Sequence, residues 1–214
     1  MADIDALFFW MTGVITPSLW TAFSNSVCVE KQAAPNLFAI SGFRQMCADF
    51  GIGKLGDLDF CEAIINRVSS GASPVSIRLK MIEELSQLIP GVLEPIQNLK
   101  SHYQKWLVVD LPQPWYRQIS QSLQLETIFP LERTIFLAES HLPQMIPDAF
   151  DYLPRQAGAD RKKCLLLDED SRRSFQALNH GLPAAVIMNA QRLEKEFLLR
   201  KMTTQEFNMH LRPK

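Results

Sequence analysis

Three consecutive acids, Asp168, Glu169 and Asp170, follow the apolar run CLLL, and a fourth, Asp110, follows WLVV. Carboxylates at the ends of neighbouring parallel strands would supply hard oxygen donors of the kind magnesium or calcium takes. They could also serve as acid and base in hydrolysis. The competing use of residues 168–170 is structural, with Asp170 or Ser171 capping the helix that follows. Near the start of the chain, FFWMTGVIT sets Trp10 and Thr12 ahead of the turn at Gly13. The place suits a reacting group, but an indole has no nucleophilic atom and a threonine hydroxyl cannot protonate a leaving group near neutral pH. Trp10 therefore reads as a plug in the core, or as a pocket wall whose N–H meets Asp110 or Asp168. In LPQPWYRQ, residues 111–118, two prolines stiffen a loop that presents Trp115, Tyr116 and Arg117, residue types that dominate interface energetics. The alternative places Trp115 and Tyr116 at the first buried positions of a helix.

The elements that must position these groups follow from periodicity. IDALFFWM, KWLVVD, RTIFLAE, KCLLLDED and PAAVIM lack polar alternation, as strands covered on both faces do. Between the later ones lie PWYRQISQSLQL, PDAFDYLPRQAG and DSRRSFQALNHG, amphipathic and of helical length. Strands alternating with helices predict an α/β fold, a doubly wound, mainly parallel, Rossmann-like sheet. Residues 17–94 break the rhythm with apolar positions recurring at three and four, which predicts an inserted all-helical cap. The core then comprises residues 1–16 and 95–200, with a basic tail over 201–214.

Composition narrows the function classes. The 214 residues carry 22 basic and 23 acidic side chains, so no global field draws in nucleic acid or an anionic membrane surface. Arg161, Lys162 and Lys163, and the pair Arg172 and Arg173, read as solvated charges. Cys28, Cys47, Cys61 and Cys164 lack metal-ligand spacing and read as buried thiols, and the four histidines are dispersed. The apolar run at residues 6–11 is too short to span a bilayer and follows acids, not a basic leader. A cytoplasmic location is the expectation.

The order of elements resembles the haloacid dehalogenase-like hydrolases, in the subgroup with a helical cap after the first strand. LIPGVLEPIQNLKSHYQKWLVVD is similar to the helix and second strand of that family, and CLLLDEDSRRSFQALNHGLPAAVI to its last acidic motif with the following helix and strand. The resemblance implies a nucleophilic aspartate where Trp10 stands, an acid/base aspartate at Thr12, a phosphate-binding serine or threonine at Asp110 and a lysine at Ile146. It also implies that the acids at 168–170 share magnesium with the first-strand aspartate. Asp5 is no substitute for Trp10, because it lies at the other end of the strand, roughly 17 Å away.

All four substituted roles point to lost chemistry of the family's type. The expectation is a catalytically degenerate protein that binds a protein partner or a second copy of itself, with no cofactor, no nucleic acid and no membrane. Two alternatives remain. One is a residual hydrolase of small phosphorylated or organic substrates using Asp110, Asp168 and Glu169, with magnesium held by Asp110 and Asp168. The other is a small-ligand sensor under the cap.

Overall fold

The computed structural model describes residues 4–28, 42–68, 71–140 and 147–203. Strand β1, Ala6–Trp10, is buried at every position. It pairs in parallel with β2, Gln104–Val109, on one side and with β4, Cys164–Asp168, on the other. Strands β3, Thr134–Phe136, and β5, Ala184–Val186, complete a parallel sheet of order β3-β2-β1-β4-β5. The continuous apolar runs thus have their physical cause: a central parallel strand meets covering helices on both faces. On β1, Phe8 packs against Trp106, while Phe9 packs edge-on against Phe129 and Phe197.

Four helices lie between β1 and β2: α1 at Leu19–Cys28, α2 at Phe43–Gly51, α3 at Asp57–Val68 and α4 at Pro74–Leu85. They form the inserted helical cap. Ser73 caps α4 by accepting the Ser76 N–H at 3.2 Å, and Pro74 opens the helix where its missing N–H costs nothing. Helix α4 packs on both α1 and α3, and Phe50 of α2 stacks on Phe60 of α3 with ring centroids 4.2 Å apart. The short α5, Leu93–Gln97, leads into β2, which is followed by α6 at Gln113–Leu123. The core continues through α7 at Leu137–Ser140, α8 at Pro147–Ala157, α9 at Ser171–Asn179 and α10 at Ala190–Leu199.

The third strand is shorter than its sequence suggests. RTIFLAE reads as a strand to residue 139, but pairing with β2 ends at Phe136 opposite Val109. An edge strand without a further partner gains nothing by continuing, and Leu137-Ala138-Glu139 favours the helix it forms. No helix among the described residues is long and apolar enough to cross a membrane. Ile146 and residues 204–214 of the tail lie outside the described residues.

Candidate functional site

The carboxyl end of the sheet gathers Trp10, Thr12, Asp110 and Asp168. Beyond β1 the chain turns tightly, with the Gly13 N–H donating to the Thr16 carbonyl at 2.8 Å and the Thr16 N–H to the Met11 carbonyl at 3.0 Å. Gly13 has φ of +92°, and a Cβ there would collide with the carboxyl group of Glu169. Glycine is required on both counts.

Thr12 does not face a substrate. Its hydroxyl donates to the Asp110 carboxylate, 2.8 Å from Oδ2 and 3.0 Å from Oδ1, and both residues are buried. Burial raises the pKa of Asp110, while the positive charge of Arg173 and the donors on Trp10 and Thr12 pull it back only in part. The Trp10 indole is 1% exposed. Its N–H lies near enough to Asp110 to favour the charged form, yet makes no hydrogen bond of normal geometry.

Asp168 is fully engaged. One oxygen accepts the Asp170 N–H at 2.9 Å and the Arg173 Nη2 at 2.7 Å, and the other accepts the Arg173 Nε. The Arg173 guanidinium, also buried, lies over the Trp10 ring at 3.7 Å from its centroid. Indole, guanidinium and carboxylate therefore form a closed stack: a cation–π contact on one face and a forked ion pair at the edge. Asp170 caps α9 by accepting the Arg172 N–H at 2.8 Å, the structural use weighed from the sequence. Glu169 sits at the rim. Desolvation and then the charge of Asp168 push its carboxyl up to about 7, although the residue is exposed and water screens part of that push.

Three placements depart from expectation. Asp110 and Asp168 do not end adjacent strands, because β1 runs between β2 and β4. Their carboxylates are separated by Trp10 and Arg173 rather than facing each other. Trp115 and Tyr116 are not surface anchors: both are buried, and only Arg117 of that group is exposed. Trp115 packs edge-on against Phe50 and donates its N–H to Asp57 at 3.4 Å, joining α6 to the cap, while Tyr116 packs against Phe136. A leading aromatic pair on an amphipathic helix turns inward to meet the core. Among the basic residues, Arg161 pairs with Asp151 and Lys163 with Asp5. The latter contact fixes Asp5 at the far end of β1, away from the site.

Two residues that the sequence reading passed over belong to the site. Arg173 was grouped with solvated charges, yet it shares an inward face of α9 with Ser174 and Ala177 while Arg172 is exposed. The three-and-four spacing to Ala177 is the signal that separates the two arginines. Cys47 of α2 comes close enough for Asp110 to act on its thiol, which desolvation first and that charge second push up to about 12. It is therefore a neutral group brought down from the cap, and no nucleophile.

No family model and no curated protein matches the sequence. Solved structures do. A HAD-family enzyme from Bacteroides thetaiotaomicron, in complex with magnesium and inorganic phosphate, matches with a TM-score of 0.61 at 16% identity, over 86% of this chain and 93% of that one. An L-2-haloacid dehalogenase from Xanthobacter autotrophicus matches with a TM-score of 0.64 at 16% identity, over 95% and 84%. A dehalogenase with an intermediate complex matches with a TM-score of 0.69 at 12% identity, over 87% and 86%.

The magnesium in the Bacteroides structures overturns the expectation of no cofactor and makes magnesium the ion to consider for this fold. The donors as placed do not fit it. Asp168 gives both oxygens to Arg173, and among the described residues no group of three His, Cys, Asp or Glu side chains could hold a metal ion. Magnesium demands near-octahedral oxygen coordination, which this arrangement does not offer. Sheet order, cap insertion and structural matches together show that the chain has the haloacid dehalogenase-like fold with an inserted helical cap.

Proposed function

We propose that this chain is a catalytically degenerate haloacid dehalogenase-like protein that acts by binding, as a protein-binding or regulatory module. The observation that carries this reading is the stack of Trp10, Arg173 and Asp168, which fills the end of the sheet with groups that already satisfy one another. Thr12 and Asp110 are likewise paired with each other. A nucleophile needs an exposed reactive atom within about 3–3.5 Å of its target, and Trp10 has none. With Trp115 and Tyr116 buried, a partner would meet other residues. Val75 and Leu79, one turn apart on α4 and more than half exposed, offer the apolar surface this reading requires.

A second reading draws on the comparisons, which favour it over the first. The matched structures are HAD-family enzymes and dehalogenases, one of them with chloropropionic acid covalently bound. On this reading the chain is a hydrolase of a small phosphorylated or organic substrate. Glu169, raised to about 7 and open to solvent, would be its acid/base group.

The test is hydrolysis of p-nitrophenyl phosphate and of 2-chloropropionate, with and without magnesium, by wild type, Trp10→Asp and Glu169→Gln. The binding reading expects no turnover in any of them, since Trp10→Asp restores one acid while Thr12 and Asp110 stay paired. Wild-type turnover abolished by Glu169→Gln would establish the hydrolase instead.

A further inference from the structure

The stack at the sheet end bears on how the site meets a cation. Asp168 is 0% exposed, and its two oxygens take one backbone N–H and two guanidinium N–H groups. A carboxylate so occupied cannot also give magnesium an oxygen at about 2.0–2.1 Å without releasing some of those donors. Arg173 in turn is seated on the Trp10 face, and its positive charge acts on Asp110 and Glu169 as well as on Asp168. One guanidinium thus offsets three nearby carboxylates, the service that a bound cation would otherwise perform.

We propose that Arg173 and a divalent cation are competing occupants of Asp168: the guanidinium is a built-in counter-ion, and a divalent ion binds only as Arg173 leaves. Trp10 is then a positioning residue, because its ring supports the guanidinium in the plane from which the fork reaches Asp168. Removing the arginine charge exposes an uncompensated set of carboxylates at Asp110, Asp168 and Glu169. Such a set favours a small hard cation strongly. The inference is independent of whether the chain hydrolyses anything.

Magnesium alone is the probe, titrated into the full chain and followed by calorimetry and by the thermal midpoint. Arg173→Gln is expected to bind magnesium at least tenfold more tightly than wild type, and the gain is expected to vanish in Arg173→Gln combined with Asp168→Asn. Equal affinity of wild type and Arg173→Gln, or a gain that survives Asp168→Asn, would overturn the proposal. Arg173→Met, which keeps an apolar stem on the indole, replaces the glutamine variant if that one fails to fold. In wild type, the Arg173 Nε–H resonance is expected to shift in step with any magnesium bound. A resonance unmoved while magnesium saturates the protein would likewise refute the competition.

Discussion

Trp10→Ala tests the reasoning about the sheet end most directly. The side chain is 1% exposed and ends the central strand opposite Val108. Truncating a buried tryptophan to alanine costs roughly 3–5 kcal/mol through lost contact and the cavity left behind. The Arg173 stack, worth about 0.5–2 kcal/mol, is part of that total and is not added to it. One term opposes the loss: the indole N–H is buried without a hydrogen bond, so deleting it relieves a desolvation cost of about 1–3 kcal/mol. The balance falls at the low end, about 3 kcal/mol. For a chain of 214 residues each kcal/mol shifts Tm by about 2–4 °C, giving a drop of about 6–12 °C. The assay is thermal and urea unfolding by far-UV circular dichroism, since the substitution removes one of the four tryptophan fluorophores. Trp10→Phe keeps a ring and discards the unpartnered N–H, so it should recover most of the loss. A Trp10→Ala midpoint equal to wild type would refute the claim that the ring closes the core.

Two further outcomes follow from the same end of the molecule. Burial raises the folded-state pKa of Asp110 above its unfolded value, so its contribution to stability is present below the unfolded value and lost as pH rises through the folded one. Asp110→Asn, which can still accept the Thr12 hydroxyl, should therefore raise the midpoint at neutral pH, with the gap narrowing toward pH ~4. A gap that widens on acidification would contradict this sign. Trp115→Ala should cost roughly 3–5 kcal/mol as a core lesion, whereas Trp115→Phe, losing only the N–H bond to Asp57, should cost about 1 kcal/mol by urea denaturation. Equal losses in the two would show that the ring itself contributes nothing.

The fold was legible because a doubly covered parallel strand leaves an unbroken apolar run, and all five such runs became strands. Cap helices were legible for the opposite reason: their apolar positions recur at three and four. What the sequence concealed was lateral order. Nothing in WLVVD or CLLLD says that β1 runs between those strands, and so Asp110 and Asp168 were placed side by side when Trp10 and Arg173 separate them. The two arginines at 172 and 173 have the same chemistry, and only their rotation about α9 distinguishes a solvated charge from a buried counter-ion. Trp115 was ambiguous in the same way, since an aromatic residue at a helix start serves equally well outside or inside until the facing element, here Phe50 of the cap, is known.

Asp57 stands at the joint between the cap and the α/β core. One of its oxygens takes the Arg78 Nε at 2.8 Å and the Trp115 N–H at 3.4 Å, so a single side chain holds two cap helices and one core helix. Desolvation pushes its carboxyl upward, but the hydrogen bonds from Arg78 and Trp115 more than offset that and leave the pKa below its ordinary value. The bonds are intact above the unfolded pKa and fail as pH falls through the folded one. The joint is an acid-released latch. At neutral pH the lid cannot swing without breaking both bonds, so cap and core open as one cooperative unit; in acid they come apart first along the seam between α3, α4 and α6.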